Sequence, residues 1–383
     1  MFVITDGKLN EEGRYKMIYL DNAATTKPCK EAVEAALRCM TENFGNPSSL
    51  HRAGIAAEQV LKDAKKTILE KLGADGGELY FTSGATESNN TAIFGAAGAY
   101  RHNGKRIVTT AAEHPSAALP VDRLCEEGYE AVRLSPKDHE DFEQALADAV
   151  DENTLLVSAI WVNNETGFLT DPLKLYRAVK RKNPKTLVHI DAVQGFCKLP
   201  SDRLAGDYIS LSAHKIHGMK GVGALYVNRN VRFRPLFYGG GQQGGQRSGT
   251  EPIDLIAAFA AAVRAYPDCS EKYAALAERL RALLSELEGI TFNSYHNAPN
   301  ILNFSVAGVR SEIMLHILEE RGIYVSSGSA CSRGKKSRVL SAFGVSDENA
   351  DTAIRVSFCP ETREENLISL AEGIRAGIER VRR

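Results

Sequence analysis

Apolar residues recur at helical spacing between Lys30 and Met40 and again from Ala53 to Leu72, with Pro28 and the turn Asn46-Pro47-Ser48 as punctuation. This predicts two helices ahead of the first strand, Glu78-Leu79-Tyr80-Phe81-Thr82, after which Gly84-Ala85-Thr86-Glu87 turns the chain into a helix running toward Tyr100. Further apolar runs follow at Arg106–Ala111, Ala131–Leu134, Leu155–Val162, Leu187–Ala192, Tyr208–Ser212 and Gly223–Val227, separated by helix-like stretches such as Asp141–Val150 and Pro172–Lys182. The runs are rich in Val, Ile and Leu and lack strict alternation, the pattern of strands buried on both faces. The expectation is an α/β domain with a mainly parallel, seven-stranded sheet between helices.

The rhythm changes beyond Asp254. A nearly all-apolar helix runs to Ala265, and after Pro267 an amphipathic helix, Glu271–Leu287, leads out of the large domain. Strands are predicted around Ile301–Val306, Ile323–Ser326 and Ala353–Phe358, and helices over Ser311–Glu320 and Glu364–Val381. We therefore expect a large α/β domain over 28–263 and a small α+β domain over 264–383, joined by the N-terminal segment 1–27. The first sixteen residues are polar and weakly patterned as far as Met17-Ile18-Tyr19-Leu20, which leaves Met17 open as an alternative start.

A length of 383 residues suits such a division, being too long for one hydrophobic core. With 47 Lys+Arg against 48 Asp+Glu, no broadly cationic surface for nucleic acid is expected. No apolar stretch approaches the length of a membrane helix, and the N-terminus lacks the pattern of a secretory signal, so a cytoplasmic protein is expected. Seven cysteines without regular spacing or a Cys-x-x-Cys pair suggest neither a disulfide framework nor a metal site, and a reducing compartment fits them.

Candidate chemistry gathers at strand ends. Lys215, in Ser212-Ala213-His214-Lys215, follows an apolar strand directly. It is either a surface-loop lysine or an amine held where open α/β sheets bind ligands, able to condense with an aldehyde. Asp191, in His189-Ile190-Asp191-Ala192-Val193-Gln194, suits a helix N-cap as well as it suits the anionic partner of a pyridine nitrogen, with Gln194 as a donor to a phenolic oxygen. The Gly84-Ala85-Thr86 turn is a tight cap or a phosphate cradle at a helix N-terminus, but no P-loop. His114 is a structural histidine or a ring that stacks and carries a proton. Cys331 lies among small residues in Ser326-Ser327-Gly328-Ser329-Ala330-Cys331, with little reason to be buried, and is the candidate nucleophile. Arg355 reads as an exposed strand-end arginine or as a fork for a carboxylate, and Asn164 could add a donor.

Together with Gly84 to Asn90, Asn163-Asn164-Glu165 and Arg247-Ser248-Gly249-Thr250, these motifs resemble, in the same order, those of the cysteine desulfurases among the class V, fold-type I pyridoxal phosphate enzymes. The resemblance runs from about Met17 to the C-terminus. It implies a homodimer with interfacial sites, pyridoxal 5'-phosphate bound to Lys215, and Asp191 against the ring nitrogen. His114 would stack on the ring and assist proton transfer, and Gln194 would meet the phenolic oxygen. Thr86 with Ala85, Ser212 and His214 would hold the phosphate, with Thr250 reaching it from the partner subunit. Asn164 and Arg355 would bind the substrate carboxylate, and Asn164 also belongs to the cofactor pocket.

The implied activity converts L-cysteine to L-alanine, with a persulfide on Cys331 whose sulfur passes to an acceptor protein or small thiol. Iron–sulfur cluster biogenesis is one possible destination. A selenocysteine lyase or another class V aminotransferase is the alternative. Gln242 stands where the family usually has histidine and Gly244 where it has arginine, and the run after Cys331 is shorter and more basic than usual.

Overall fold

The computed structural model describes residues 17–74, 76–328 and 337–382. The chain divides into two compact units, one comprising 26–163 and 169–268, the other 17–25, 164–168 and the described residues from 269 onward.

The larger unit is built on a seven-stranded sheet with the order Gly77–Thr82, Gly223–Asn228, Tyr208–Ser212, Leu187–Asp191, Thr154–Ile160, Arg106–Thr110, Glu130–Leu134. The last five are mutually parallel, whereas Gly223–Asn228 runs antiparallel to both of its neighbours. Two reversals restore direction, so Gly77–Thr82 points the same way as the parallel set. The carboxyl ends of six strands therefore share one edge of the sheet, where open α/β sheets bind their ligands. Thr154–Ile160, Leu187–Asp191 and Tyr208–Ser212 are buried at every position, as strands covered on both faces are, and their polar residues Ser158, His189 and Ser210 pair with one another.

Local signals start and stop the helices. Asp171 caps Pro172–Lys182 by accepting from the Lys174 N–H, Pro172 supplies the first position, and Lys180, Arg181 and Lys182 complement the C-terminal dipole. Helix Arg52–Leu72 starts on the His51 ring and ends on Gly73 in the left-handed region, at φ 64°. Helix Ala85–Ala99 lies on the sheet, and Ala92, Ile93 and Ala96 join Ile107, Leu156 and Leu225 in the core.

In the smaller unit, Ser326–Ser327, Ala353–Ser357, Ile301–Val306 and Ile290–Phe292 form an antiparallel sheet. Helices Ser270–Ser285, Ser311–Glu319 and Glu364–Arg382 cover it through a core that includes Tyr273, Leu280, Phe304, Met314, Ile354 and Ile374. The single strand expected at Ile323–Ser326 is two short ones, because Ile323–Tyr324 leaves this sheet to pair in parallel with Ile18–Tyr19. Asn164–Phe168, expected within the large domain, packs with this unit instead. The Ala298 N–H donates to the Gly167 carbonyl at 2.8 Å, and the Phe168 ring lies against Tyr295 and Phe343.

Candidate active site

Four strand ends on the common edge of the larger unit carry the residues singled out in the sequence. The strand Leu187–Asp191 ends on the carboxylate itself. Asp191 is 3% exposed, and accepts from the Asn89 side-chain amide at 2.8 Å and from the Val193 N–H at 3.1 Å. Asn89 Nδ2 also donates to Ser116 Oγ at 2.8 Å, and Ser116 Oγ lies 2.7 Å from His114 Nδ1.

This chain of contacts sets the histidine tautomer. The Ser116 N–H donates to His114 Nδ1, so Nδ1 is an acceptor and the neutral ring carries its proton on Nε2. His114 thereby caps helix Pro115–Glu126, so its structural role is realised. It also stands in the electrostatic field of both Asp191 and Lys215. Burial pushes its pKa down, Asp191 pulls it up and Lys215 pushes it down further, with a net lowering. Three residues separated in sequence by up to 101 positions are thus brought within one another's influence.

Lys215 ends a short 3-10 turn, Ala213–Lys215, directly after the strand Tyr208–Ser212. Thr26 fastens that turn, since both its N–H and its hydroxyl donate to the His214 carbonyl at 2.9 Å while Oγ1 accepts from the His217 N–H. His214 is driven down to about 4 by burial, reinforced by the positive charges of Lys215, Lys220 and Lys198. Ser212 is buried beside it.

Two residues beyond the strand Gly77–Thr82, Gly84 opens helix Ala85–Ala99 at φ 153° with open space where a side chain would project. The first N–H groups of a helix have no partner within it and carry its positive pole. Thr86 lines a cleft of about 460 Å³ together with Asn90, His114, Ser116, Leu119 and Arg123, which sets the helix start and the histidine around one space.

These features fit pyridoxal 5'-phosphate. An amine, an acid fixed by hydrogen bonds, a helix N-terminus with an uncovered glycine and a cationic surround at His214 are the donor set that its aldehyde, ring nitrogen and phosphate call for. The buried Asn89 Oδ1 has no hydrogen-bond partner among the described residues, as expected where a ligand completes the site.

The smaller unit holds the expected carboxylate binders. Arg355 lies within the strand Ala353–Ser357 and is 4% exposed, so of its two readings the exposed strand-end arginine does not hold; pairing with Ile301–Val306 and Ser326–Ser327 encloses the residue. Its Nη1 donates to the Asn164 carbonyl at 3.1 Å and its Nη2 to Asp21 at 2.6 Å, while Nε has no acceptor among the described residues. Asn164 and Arg355 are thus brought together. Cys331 lies outside the described residues, and Thr250 is exposed.

Sequence reasoning missed Asn89, Ser116, Glu113 and Asp21. Asn89 and Glu113 stand within or beside quoted motifs, and a buried-looking amide or acid next to a candidate residue was the available signal. Gln242, in place of histidine, has a local role, since its side-chain oxygen accepts from the Gly249 N–H at 2.9 Å.

The model of the family described as "Aminotransferase class-V" matches residues 18–370. The chain belongs to this family. It is 39% identical to cysteine desulfurase IscS of Escherichia coli, over 95% of this chain and 93% of that one. It is 40% identical to a NifS/IcsS protein homolog of Lactobacillus delbrueckii subsp. bulgaricus, over 89% and 92%. Among solved structures, a NifS-like protein superposes with a TM-score of 0.87 at 34% identity, covering 95% of this chain and all of the other. SspA in complex with cysteine superposes at 0.79 with 32% identity, covering 90% of this chain and all of that one. Within the class V family the chain is a cysteine desulfurase, on a fold-type I scaffold shared by pyridoxal phosphate enzymes.

Proposed function

We propose that the enzyme works with pyridoxal 5'-phosphate and the following division of labour. L-cysteine and the Cys331 thiol become L-alanine and a Cys331 persulfide. The substrate C–S bond breaks as the S–S bond forms, the thiol proton is released, and a proton is added at the alanine Cβ. The observation that carries this reading is the convergence of Lys215, Asp191 and His114 at the carboxyl edge of the sheet.

When bound there, the cofactor supplies an electron sink that makes the substrate Cα–H acidic. Lys215 would hold the aldehyde, and its amine, when free, would take the substrate Cα proton. Asp191, fixed by Asn89 and Val193, keeps the ring nitrogen protonated. Gln194 meets the phenolic oxygen. Ala85, Thr86, Ser212 and His214 hold the phosphate, with the partner subunit's Thr250. Asn164 and Arg355 would hold the substrate carboxylate, Asp21 fixing the arginine, and His114 would stack on the ring. Burial raises the thiols of Cys29, Cys39, Cys197 and Cys359, which makes them poor thiolates.

The wider setting we propose is a cytoplasmic homodimer that gives its sulfur to an acceptor protein or small thiol, iron–sulfur cluster assembly being one use. No helix among the described residues is long and apolar enough to cross a membrane.

Incubation with L-cysteine, followed by alanine assay and mass analysis of the Cys331 peptide, tests the reading. Alanine should form with one extra sulfur on that peptide, and Cys331→Ala should lose cysteine turnover by at least ~100-fold. Undiminished cysteine turnover by the variant, or turnover of selenocysteine alone, would reject it.

A further inference from the structure

Beyond the strand Leu187–Asp191 the chain makes two consecutive tight turns. The Ala192 carbonyl accepts from the Gly195 and Phe196 N–H groups, and the Gly195 carbonyl accepts from those of Lys198 and Leu199. The first turn is pressed against Trp161, whose ring lies 2.4 Å from where a Cβ on Gly195 would be. The second passes through Cys197 in the left-handed region, at φ 63°, a conformation that is strained for a non-glycine residue. This folding returns Lys198 onto Gln194. Lys198 Nζ donates to Gln194 Oε1 at 2.9 Å, and the two residues are only 4% and 2% exposed.

Burying an ammonium is unfavourable before its partners are counted, so a lysine enclosed here calls for a function. Its chemistry gives one. An ammonium only donates, whereas a glutamine amide has an accepting end and a donating end. With Nζ on one side, Oε1 must face the lysine and the NH2 group must face away. The positive charge of Lys198 also acts on His214, in the turn that carries Lys215, and on Cys197.

We infer that Lys198 is a positioning residue that orients the Gln194 amide so that its NH2 group donates to the phenolic oxygen of the cofactor. The inference rests on the proposed cofactor reading, in which Gln194 meets that oxygen. A donor to the phenolic oxygen competes for the electron pair that would otherwise hold the proton shared with the Lys215 nitrogen. Its loss raises the pH at which the resting holoenzyme gives up that proton, a change visible in the absorption band of the bound cofactor. Among the described residues, the other charged and titratable groups acting on this region are Glu113, Asp191, His114, His214, Lys215 and Lys220, with Lys71 beyond Cys197. Their contributions are common to the wild type and the variants.

The experiment is a pH titration of the visible spectrum of holoenzyme without substrate. Borohydride trapping followed by peptide mapping reports separately whether the cofactor is bonded to Lys215. In Lys198→Met the spectral midpoint should rise by about one pH unit, a tenfold change in proton affinity. Gln194→Glu, which leaves Lys198 in place and replaces the amide NH2 by an oxygen, should raise it as well. In a Gln194→Leu background, Lys198→Met should add less than half of its single-variant shift. An unmoved midpoint in either single variant overturns the proposal. So does a full Lys198→Met shift in the Gln194→Leu background, which would mean that charge alone is acting. If the wild type shows no cofactor bonded to Lys215, the underlying reading fails and takes the inference with it. A bonded cofactor with unmoved midpoints leaves that reading standing and removes only the role of Lys198.

Discussion

Glu113 precedes His114 and is 4% exposed. Its Oε1 accepts from the Thr110 hydroxyl at 2.6 Å and from the Ile160 N–H at 2.9 Å, while Oε2 has no partner among the described residues. Burial, aided by the negative charge of Asp191 and opposed by those two donors, pushes its pKa from 4.5 up to about 8. The folded chain therefore keeps a proton over a range where the unfolded chain has released it. The resulting stability is complete below pH 4.5, declines as pH rises and is lost above about 8. Glu113→Gln removes the titration and retains an oxygen for both donors. Its unfolding free energy relative to wild type should increase by on the order of 3 kcal/mol from pH 5 to pH 8, as read by urea unfolding. A constant difference across that range would show that the carboxyl is ionised in the fold. Little of this was legible beforehand. The apolar run before Glu113 marks a strand end, but the partners that bury the acid lie 47 residues away at Ile160 and 78 away at Asp191, separations at which local pattern carries no information.

Elements were more readable than contacts, because the periods of 2 and 3.6 are local properties. The strand Tyr208–Ser212 and the helix Pro172–Lys182 coincide with their expected bounds. The three-residue strand Ile290–Phe292 and the helices Arg338–Ala342 and Asp347–Asp351 are too short to show a period, and Pro120 interrupts the pattern of Pro115–Glu126. The glycine-rich segment after Tyr238 shows how an element without a period is held. Arg247 grips Glu87 through two hydrogen bonds, at 2.8 and 3.2 Å, in the first turn of the helix Ala85–Ala99, and the Ser83 N–H donates to the same carboxylate. Burial opposes ionisation of Glu87, but these donors outweigh it and its pKa falls below 4.5. The pair's stabilisation is present above that value and is lost as pH falls through the lower folded value. Glu87→Gln should cost roughly 1.5–3 kcal/mol at pH 7, with the difference shrinking toward pH 4 in the same unfolding assay. Gln243 completes the anchorage by pairing its amide with the Phe81 N–H and carbonyl on the outermost strand, at 2.7 and 2.9 Å. Gln243→Ala should speed hydrogen exchange at the Phe81 amide by about tenfold, since it removes a contribution of about 1.4 kcal/mol. Exchange at the wild-type rate would show that the anchorage is not formed.

At the scale of the molecule, the helix Lys30–Thr41 presents two apolar faces. Ala32, Ala36 and Cys39 are buried, the first two packed with Ala258 and Ala262 of the helix Ile253–Ala265. Val33, Leu37 and Met40, spaced i, i+4 and i+7, form a second stripe that is 46%, 58% and 60% exposed. Phe44 and Leu50, just beyond this helix, are exposed at 76% and 95%. So many large apolar groups on one stretch mark a surface that a partner covers, and the proposed homodimer would provide it. Leu37→Asp combined with Met40→Asp should convert the dimer to monomer in sedimentation velocity, while leaving the secondary structure seen by circular dichroism unchanged. The proposed role of Thr250 adds a second consequence. If its hydroxyl serves the phosphate of the other subunit, the monomer should hold pyridoxal 5'-phosphate about tenfold more weakly, the effect of losing about 1.4 kcal/mol of hydrogen bonding. Thr250→Val should weaken binding to a similar degree while leaving the dimer intact. In the monomeric background the same substitution should add nothing, because the residue it removes no longer reaches a site. A further tenfold loss there would assign Thr250 to the site of its own chain and overturn the shared arrangement.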